Sequence, residues 1–170
     1  MDVGLSLGSN LGDRLATLRE ARRQIGALPD VREIACSPVY ETEPVGVRPE
    51  YHALAYLNVV IILDSTGSVD ALSDALHAIE AAMGRVREDD RFAPRPIDID
   101  ILYAGEVFSD RDDLTLPHPR WAERRFVVQP LADVRPDLVL PGTVHRVRDI
   151  LAALPPAPAV RRHTPNDADW

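Results

Sequence analysis

Arg91-Phe92-Ala93-Pro94-Arg95-Pro96-Ile97-Asp98-Ile99-Asp100-Ile101-Leu102 is the stretch on which the organisation of the chain turns. Side chains on a strand point to opposite faces in turn, so Ile97, Ile99 and Ile101 share one face and Asp98 and Asp100 the other. The isoleucine face is expected to be core. Aspartate is disfavoured in strands, and two carboxylates about 7 Å apart on one side repel each other, so something positive should lie between them. A magnesium ion meets that need, because it takes oxygen ligands and completes its shell with water and phosphate. A half-exposed strand with a solvated acidic face would carry the same pattern.

The residues just upstream favour the metal. Arg85, Arg87, Arg91 and Arg95 place four guanidiniums within eleven residues of a chain whose formal charge is −8. Arginine forks match phosphate oxygens with paired hydrogen bonds, and magnesium bridges neighbouring phosphates, so the combination points to a polyphosphate. An arginine-rich surface loop paired with Glu88, Asp89 and Asp90 is the alternative.

Working outward, Val3 to Leu7 reads as a first strand that breaks at Gly8-Ser9-Asn10. Asp13 is a plausible cap for a helix whose apolar stripe is Leu11, Leu15, Leu18, Ile25 and Leu28, ended by Pro29-Asp30. Val31 to Tyr40 is a second strand, with Pro38 placing its far end at an edge or bulge. Thr42 to Gly46 is a loop, and the continuous apolar run Val59 to Leu63, entered through Tyr56-Leu57-Asn58, is a central strand buried on both faces. Ser68 caps a second amphipathic helix with Val69, Leu72, Leu76, Ile79 and Met83 on one face and Gly84 at its end. Ile97 to Tyr103 is the fourth strand. Strand, helix, strand, strand, helix, strand is the split βαβ order, which gives an antiparallel sheet with both helices on one face.

Further on, Tyr103 to Val107 suggests a hairpin, Asp110 to Asp113 a charged turn, and Leu114 to Leu116 a short extended piece. His118 stands between Pro117 and Pro119, whose restricted backbones limit where its ring can point. A helix is expected around Trp121 to Ala132, then an extended piece and a closing helix with Ile150, Leu151 and Leu154 facing in. Residues 1–154 make one domain, and the Pro-, Ala- and Arg-rich 155–170 is expected to be a mobile tail.

The totals exclude several classes. A chain of 170 residues can bury a core without disulfides, and Cys36, the single cysteine, cannot form one within the chain. No apolar run is long enough to span a bilayer and no signal peptide is evident, so a cytoplasmic protein is expected. A pI near 5.0 excludes a broad nucleic-acid surface. All nineteen basic residues are arginine, which rules out a phosphate loop of the Gly-Lys-Ser/Thr kind. The partners expected are small molecules, with no nucleic acid and no membrane.

The run from Arg91 to Leu102 resembles the 6-hydroxymethyl-7,8-dihydropterin pyrophosphokinase family pattern: a basic residue, any residue, a small residue, Pro-Arg, two residues, Asp-apolar-Asp and two aliphatics. Gly8-Ser9-Asn10-Leu11-Gly12, Ser37-Pro38-Val39-Tyr40, Tyr56-Leu57-Asn58, Gly84-Arg85-Val86-Arg87 and Leu116-Pro117-His118-Pro119 extend the resemblance over nearly the whole chain. It implies a ferredoxin-like α+β fold, an antiparallel sheet with helices packed on its faces, in a monomer. It implies transfer of pyrophosphate from ATP, the co-substrate, to the hydroxymethyl group of a reduced pterin, releasing AMP, a step of folate biosynthesis. By motif, Asp98 and Asp100 would hold two Mg2+ ions and Arg85 and Arg95 the transferred group. His77, Glu80, Arg87, Arg91, Ile101, Thr115, His118 and Arg124 would serve ATP. Thr42, Pro44, Val45, Gly46, Tyr56, Asn58 and Phe126 would form the pterin pocket, and Phe92 would sit in a lid spanning Arg85 to Arg95. Phe92 stands where many members have tryptophan and Ala93 where they have glycine, and His77 and Pro119 replace residues that often touch the nucleotide.

Two rivals fit less well. A nucleotidyltransferase would need Gly8-Ser9 and the aspartates in one short strand-loop unit, whereas almost ninety residues and two strands intervene. An RNA-binding module of split βαβ type would want exposed aromatics on its central strands and a basic face, but the chain is acidic with 5% aromatics and places carboxylates there.

Overall fold

The computed structural model describes residues 1–44, 49–51, 53–85 and 94–163. Its sheet is built on β1 (Asp2–Ser9) and β4 (Tyr56–Ser65), antiparallel along their whole length from Asp2 opposite Asp64 to Ser9 opposite Leu57. β4 is buried on both faces, as its unbroken apolar run requires. Between them in sequence come α1 (Arg14–Gly26), capped by the Asp13 carboxylate accepting the Ala16 N–H at 3.1 Å, and an edge strand in two pieces. These pieces are β2 (Val31–Cys36) and β3 (Tyr40–Thr42), both antiparallel to β4. The break falls at Ser37-Pro38-Val39, where proline cannot donate to a ladder.

α2 (Val69–Ala82) is capped by the Ser68 hydroxyl accepting from the Ala71 N–H and ends before Gly84 at φ +88°. β5 (Asp98–Ala104) then pairs with β1 on its other edge. The order β5-β1-β4-β3, with β2 beside β3 on the same edge of β4, is the ferredoxin-like arrangement. Leu18, Ala21 and Ile25 of α1 and Leu72, Leu76 and Ile79 of α2 pack on Val3, Leu5, Leu7, Ile97, Ile99 and Ile101. Leu11 lies outside α1 and is exposed, so the stripe begins only at Leu15.

β6 (Ser109–Arg111) and β7 (Leu114–Leu116) form a separate hairpin that buries Leu114 and Leu116 in this same core; its tip is the acidic turn, so the hairpin expected at 103–107 lies further along, with a turn alone at Gly105. The opposite face carries its own layer. After a single turn at Trp121–Glu123, α3 (Arg125–Val134) and α4 (Val147–Ala153) cover Val60, Ile62, Leu102 and Tyr103. Register shifts between Gly4 and Leu5, so β5 carries an extra residue and both Leu102 and Tyr103 turn to this second core. The Tyr103 ring lies directly on Gly4: a Cβ there would stand 2.3 Å from Tyr103 Cε1.

Residues 155–163 correct the expected tail. β8 (Val160–Arg162) joins the sheet against β3, with Tyr40 opposite Arg162 and Thr42 opposite Val160, and the His163 N–H donates to the Val39 carbonyl at 2.9 Å.

Candidate active site

The aspartates of β5 lie on the α3 side of the sheet, where β1 and β4 contribute Ser6, Gly8, Tyr56 and Asn58. These residues floor a cleft of about 370 Å³, whose walls are Thr42, Glu43 and Pro44 on one side and His118, Arg120, Arg124 and Phe126 on the other. Arg85 and Arg95 close its end beside Asp98 and Asp100. A second hollow of about 270 Å³ adjoins it, shares Asp100, His118 and Arg120, and is lined by His77, Ile99, Ile101, Leu114 and Thr115.

The charged end is a linked set. Arg85 Nη1 reaches Asp98 Oδ1 at 2.5 Å and also pairs with Glu80, while Arg95 Nη2 reaches Asp98 Oδ2 at 3.1 Å. Asn10 fixes the second arginine from behind, its amide oxygen accepting the Arg95 N–H at 3.0 Å. Asp100 is more open: 40% of its side chain faces the cleft, His118 Nε2 stands 3.8 Å away, and the charges of Arg124, Arg85 and Arg95 act on it. Burial of the rest of the carboxyl, reinforced by Asp98, pushes Asp100 up to about 6. His118 goes the other way, down to about 4, through burial and then the charges of Arg124 and Arg120. Its Nδ1 accepts the Arg120 N–H at 3.2 Å, which leaves a neutral ring with its proton on Nε2, facing Asp100.

The apolar end is ordered by one amide. Asn58 Nδ2 donates to Thr42 Oγ1 at 2.8 Å, both residues being almost wholly buried, and the amide oxygen stands over Gly8. A Cβ at Gly8 would lie 3.4 Å from that oxygen and 3.9 Å from Tyr56 Cδ1, so the missing side chain is part of the space. Arg124 lies over the Phe126 ring, 5.6 Å from its centroid. Burial raises the Tyr56 hydroxyl above its ordinary range, with Arg95 pulling the other way.

Thr42, Pro44, Tyr56, Asn58, Arg85, Arg95, Asp98, Asp100, His118, Arg124 and Phe126 therefore meet in one cleft, and His77, Ile101 and Thr115 in the hollow beside it. Glu80 lines neither cavity. Its carboxylate is buried, accepts the Ile99 N–H at 2.7 Å and holds Arg85, so its contacts are those of an anchor beneath the site. Val45, Gly46, Arg87, Arg91 and Phe92 lie outside the described residues. Sequence reasoning passed over Ser6, Gly8 and Arg120 as lining residues and Asn10 as a support. Gly8 and Asn10 fall in the quoted Gly8-Ser9-Asn10 motif, whereas nothing marked Arg120 except its place after Pro119.

Among the described residues, no group of three or more His, Cys, Asp or Glu side chains is placed to hold a metal. Two carboxylates facing a cleft, one of them raised by burial and then by the other's charge, are nonetheless a donor set that suits a hard cation arriving with phosphate and water. No helix among those residues is long and apolar enough to cross a membrane.

Comparison with known proteins agrees with this geometry. The family model for 7,8-dihydro-6-hydroxymethylpterin-pyrophosphokinase (HPPK) matches residues 4–136. The chain is 43% identical over 154 residues to the 2-amino-4-hydroxy-6-hydroxymethyldihydropteridine pyrophosphokinase of Methylorubrum extorquens, covering 90% of this chain and 93% of that one. The enzyme of the same name from Pseudomonas aeruginosa is 40% identical over 90% of this chain and 91% of its own. A crystal structure of Plasmodium falciparum HPPK-DHPS with pteroate superposes with a TM-score of 0.67 at 14% identity, over 89% of this chain and 42% of that chain, which supports the fold. With the motifs, the sheet order and the cleft in place, the match over most of its length shows that the chain belongs to the HPPK family, the pyrophosphokinases of folate synthesis.

Proposed function

We propose that this cleft carries out the family's transfer of pyrophosphate from ATP to 6-hydroxymethyl-7,8-dihydropterin, with Asp98 and Asp100 as ligands of two Mg2+ ions. One observation supports this above the rest: an arginine-rich end containing two carboxylates and an end lined by Pro44, Tyr56, Asn58 and Phe126 share a single cleft. Asp98 and Asp100 would hold the magnesium, which would supply positive charge against the phosphates and the departing AMP oxygen.

The chain's own residues do the remainder. Arg85 and Arg95, which neutralise Asp98 in the free protein, take the non-bridging oxygens of the transferred group once phosphates reach them. Trading a carboxylate for a phosphate costs little attraction and leaves Asp98 available to the cation. Glu80 keeps Arg85 at its station during the exchange. His118 donates from Nε2 to a phosphate oxygen and stays neutral at physiological pH, and Arg120, Arg124, Arg87 and Arg91 contribute further charge to the nucleotide. The adenine occupies the hollow by His77, Ile101 and Thr115. At the other end Asn58, its orientation set by Thr42, reads the donor and acceptor edge of the pterin. Tyr56 and Phe126 flank the ring, an arrangement that suits a flat heterocycle. Holding the hydroxymethyl oxygen in line with the β-phosphorus is the larger part of catalysis for a loose phosphoryl transition state.

The test is chemical. Protein, ATP, Mg2+ and hydroxymethyl-dihydropterin should yield AMP and the pterin diphosphate; ADP as the nucleotide product, or AMP without pterin, would refute the assignment.

A further inference from the structure

We infer that β8, the carboxy-terminal strand, is a positioning element of the pterin-binding wall, so that the affinity for pterin depends on it and the affinity for ATP does not. The inference rests on the pterin assignment made above.

β3 is only three residues long, and a strand of that length with one open edge is held weakly. Yet β3 carries Thr42, whose hydroxyl fixes the Asn58 amide, and leads directly into Glu43 and Pro44 of the cleft wall. Three sets of contacts hold it. β4 pairs with its inner edge, Tyr40 opposite Asn58. Side-chain bonds tie it to both layers: Tyr40 Oη donates to Asp133 of α3 at 2.6 Å, and Glu41 accepts from Arg14 at 2.8 Å. β8 closes the outer edge, with Val160 opposite Thr42 itself.

Without β8, Thr42 would end a frayed edge strand. A shift of well under 1 Å at its hydroxyl is enough to turn the Asn58 amide, because a hydrogen bond weakens steeply with angle. The charged end of the cleft, by contrast, hangs on β5, α2 and Asn10, none of which β8 pairs with. Loss of the strand therefore acts on the pterin wall, through β3 and through the α3 helix that β8 also touches, and leaves the Arg85–Asp98–Arg95 set in place.

Antiparallel ladders alternate bonded and non-bonded pairs. The His163 N–H donates to Val39, so the next bonded pair toward the cleft is Arg161 with Glu41. A double variant Arg161→Pro/His163→Pro removes both donors, and Arg161→Thr/His163→Thr keeps both while changing the same side chains. Pterin and a nonhydrolysable ATP analogue are each titrated with magnesium present, and KM and kcat are measured for both substrates. The proline double variant should bind pterin about tenfold more weakly, with KM for pterin rising in step, while kcat at saturating pterin and the analogue affinity stay within about twofold. The threonine double variant should match the parent. Unchanged pterin affinity in the proline variant would overturn the inference, as would an equal loss in the threonine variant, or parallel loss of both ligands. Asn58→Ala, run alongside, separates the two levels: if it leaves pterin binding intact, the pterin assignment itself has failed and this inference falls with it.

Discussion

At the scale of single residues, Asp98 and Asp100 differ in a way that their common motif conceals. Asp98 is held between Arg85 and Arg95, whereas Asp100 faces the cleft beside a neutral His118. If the two aspartates hold the proposed cations, replacing either by alanine should leave the fold intact and reduce turnover by several orders of magnitude, since transition-state stabilisation is forfeited with the metal. Turnover with the melting temperature as control checks this, and near-parent activity in either variant would remove it from the metal site. The titrations of Asp100 and His118 oppose each other. Asp100, at about 6 folded against 3.8 unfolded, contributes stability at low pH that fades as pH rises through about 6. His118, at about 4 folded against 6.5 unfolded, binds its proton more readily in the unfolded chain, so stability is lost as pH falls from 6.5 toward 4. In metal-free protein the two slopes offset one another between about pH 4 and 6. Asp100→Asn should leave melting temperatures that rise with pH across that window, and His118→Gln should leave them falling. At the far end of the cleft, Asn58→Ala should weaken pterin binding by about 1 to 3 kcal/mol with little change for ATP, which calorimetry on both ligands would read directly.

At the scale of elements, what could be read from the sequence was whatever rests on neighbours in the chain. The alternation in Ile97-Asp98-Ile99-Asp100-Ile101 needs only the strand's own period, and the Asp13 and Ser68 caps need only the next three residues, so these were legible. Pro38 foretold a broken edge because proline lacks a donor wherever it stands. The misses depend on partners far away. β8 is short, Pro-flanked and Arg-rich, and becomes a strand only because β3 offers an open edge. The anchoring contacts of Glu80 likewise have no local sign, because β5 presents the Ile99 N–H to it from a distant part of the chain. The Leu102–Tyr103 bulge has no local sign either, yet it delivers the Tyr103 ring onto Gly4. Gly4→Ala should therefore cost about 1 to 3 kcal/mol, through a displaced ring rather than through helix or strand propensity. Chemical denaturation would measure it, and a loss well under 1 kcal/mol would mean that the ring moves freely aside.

At the scale of the whole molecule, one sheet separates two cores, and the cleft belongs to only one of them. α1 and α2 pack the first core, with Leu18 fully buried, while α3 and α4 pack the second, with Leu131 fully buried. Of α1 and α3, only α3 brings cleft residues with it, Arg124 at its start and Phe126 in its first turn. Leu18→Ala and Leu131→Ala remove the same atoms from equally buried sites, and each should cost about 2 to 5 kcal/mol and several degrees of melting temperature. Their consequences for function should differ. Loosening α3 moves one wall of the end proposed for pterin, so Leu131→Ala should raise KM for pterin severalfold at temperatures where the protein remains folded. α1 carries no cleft-lining side chain and reaches the wall only at its first residue, where Arg14 pairs with Glu41 a turn away from Leu18, so Leu18→Ala should keep both KM values near those of the parent. Steady-state kinetics at a temperature well below both melting points would decide between them. If the two variants lose pterin affinity equally, the walls of the cleft follow global stability, and the sheet does not insulate one core from the other.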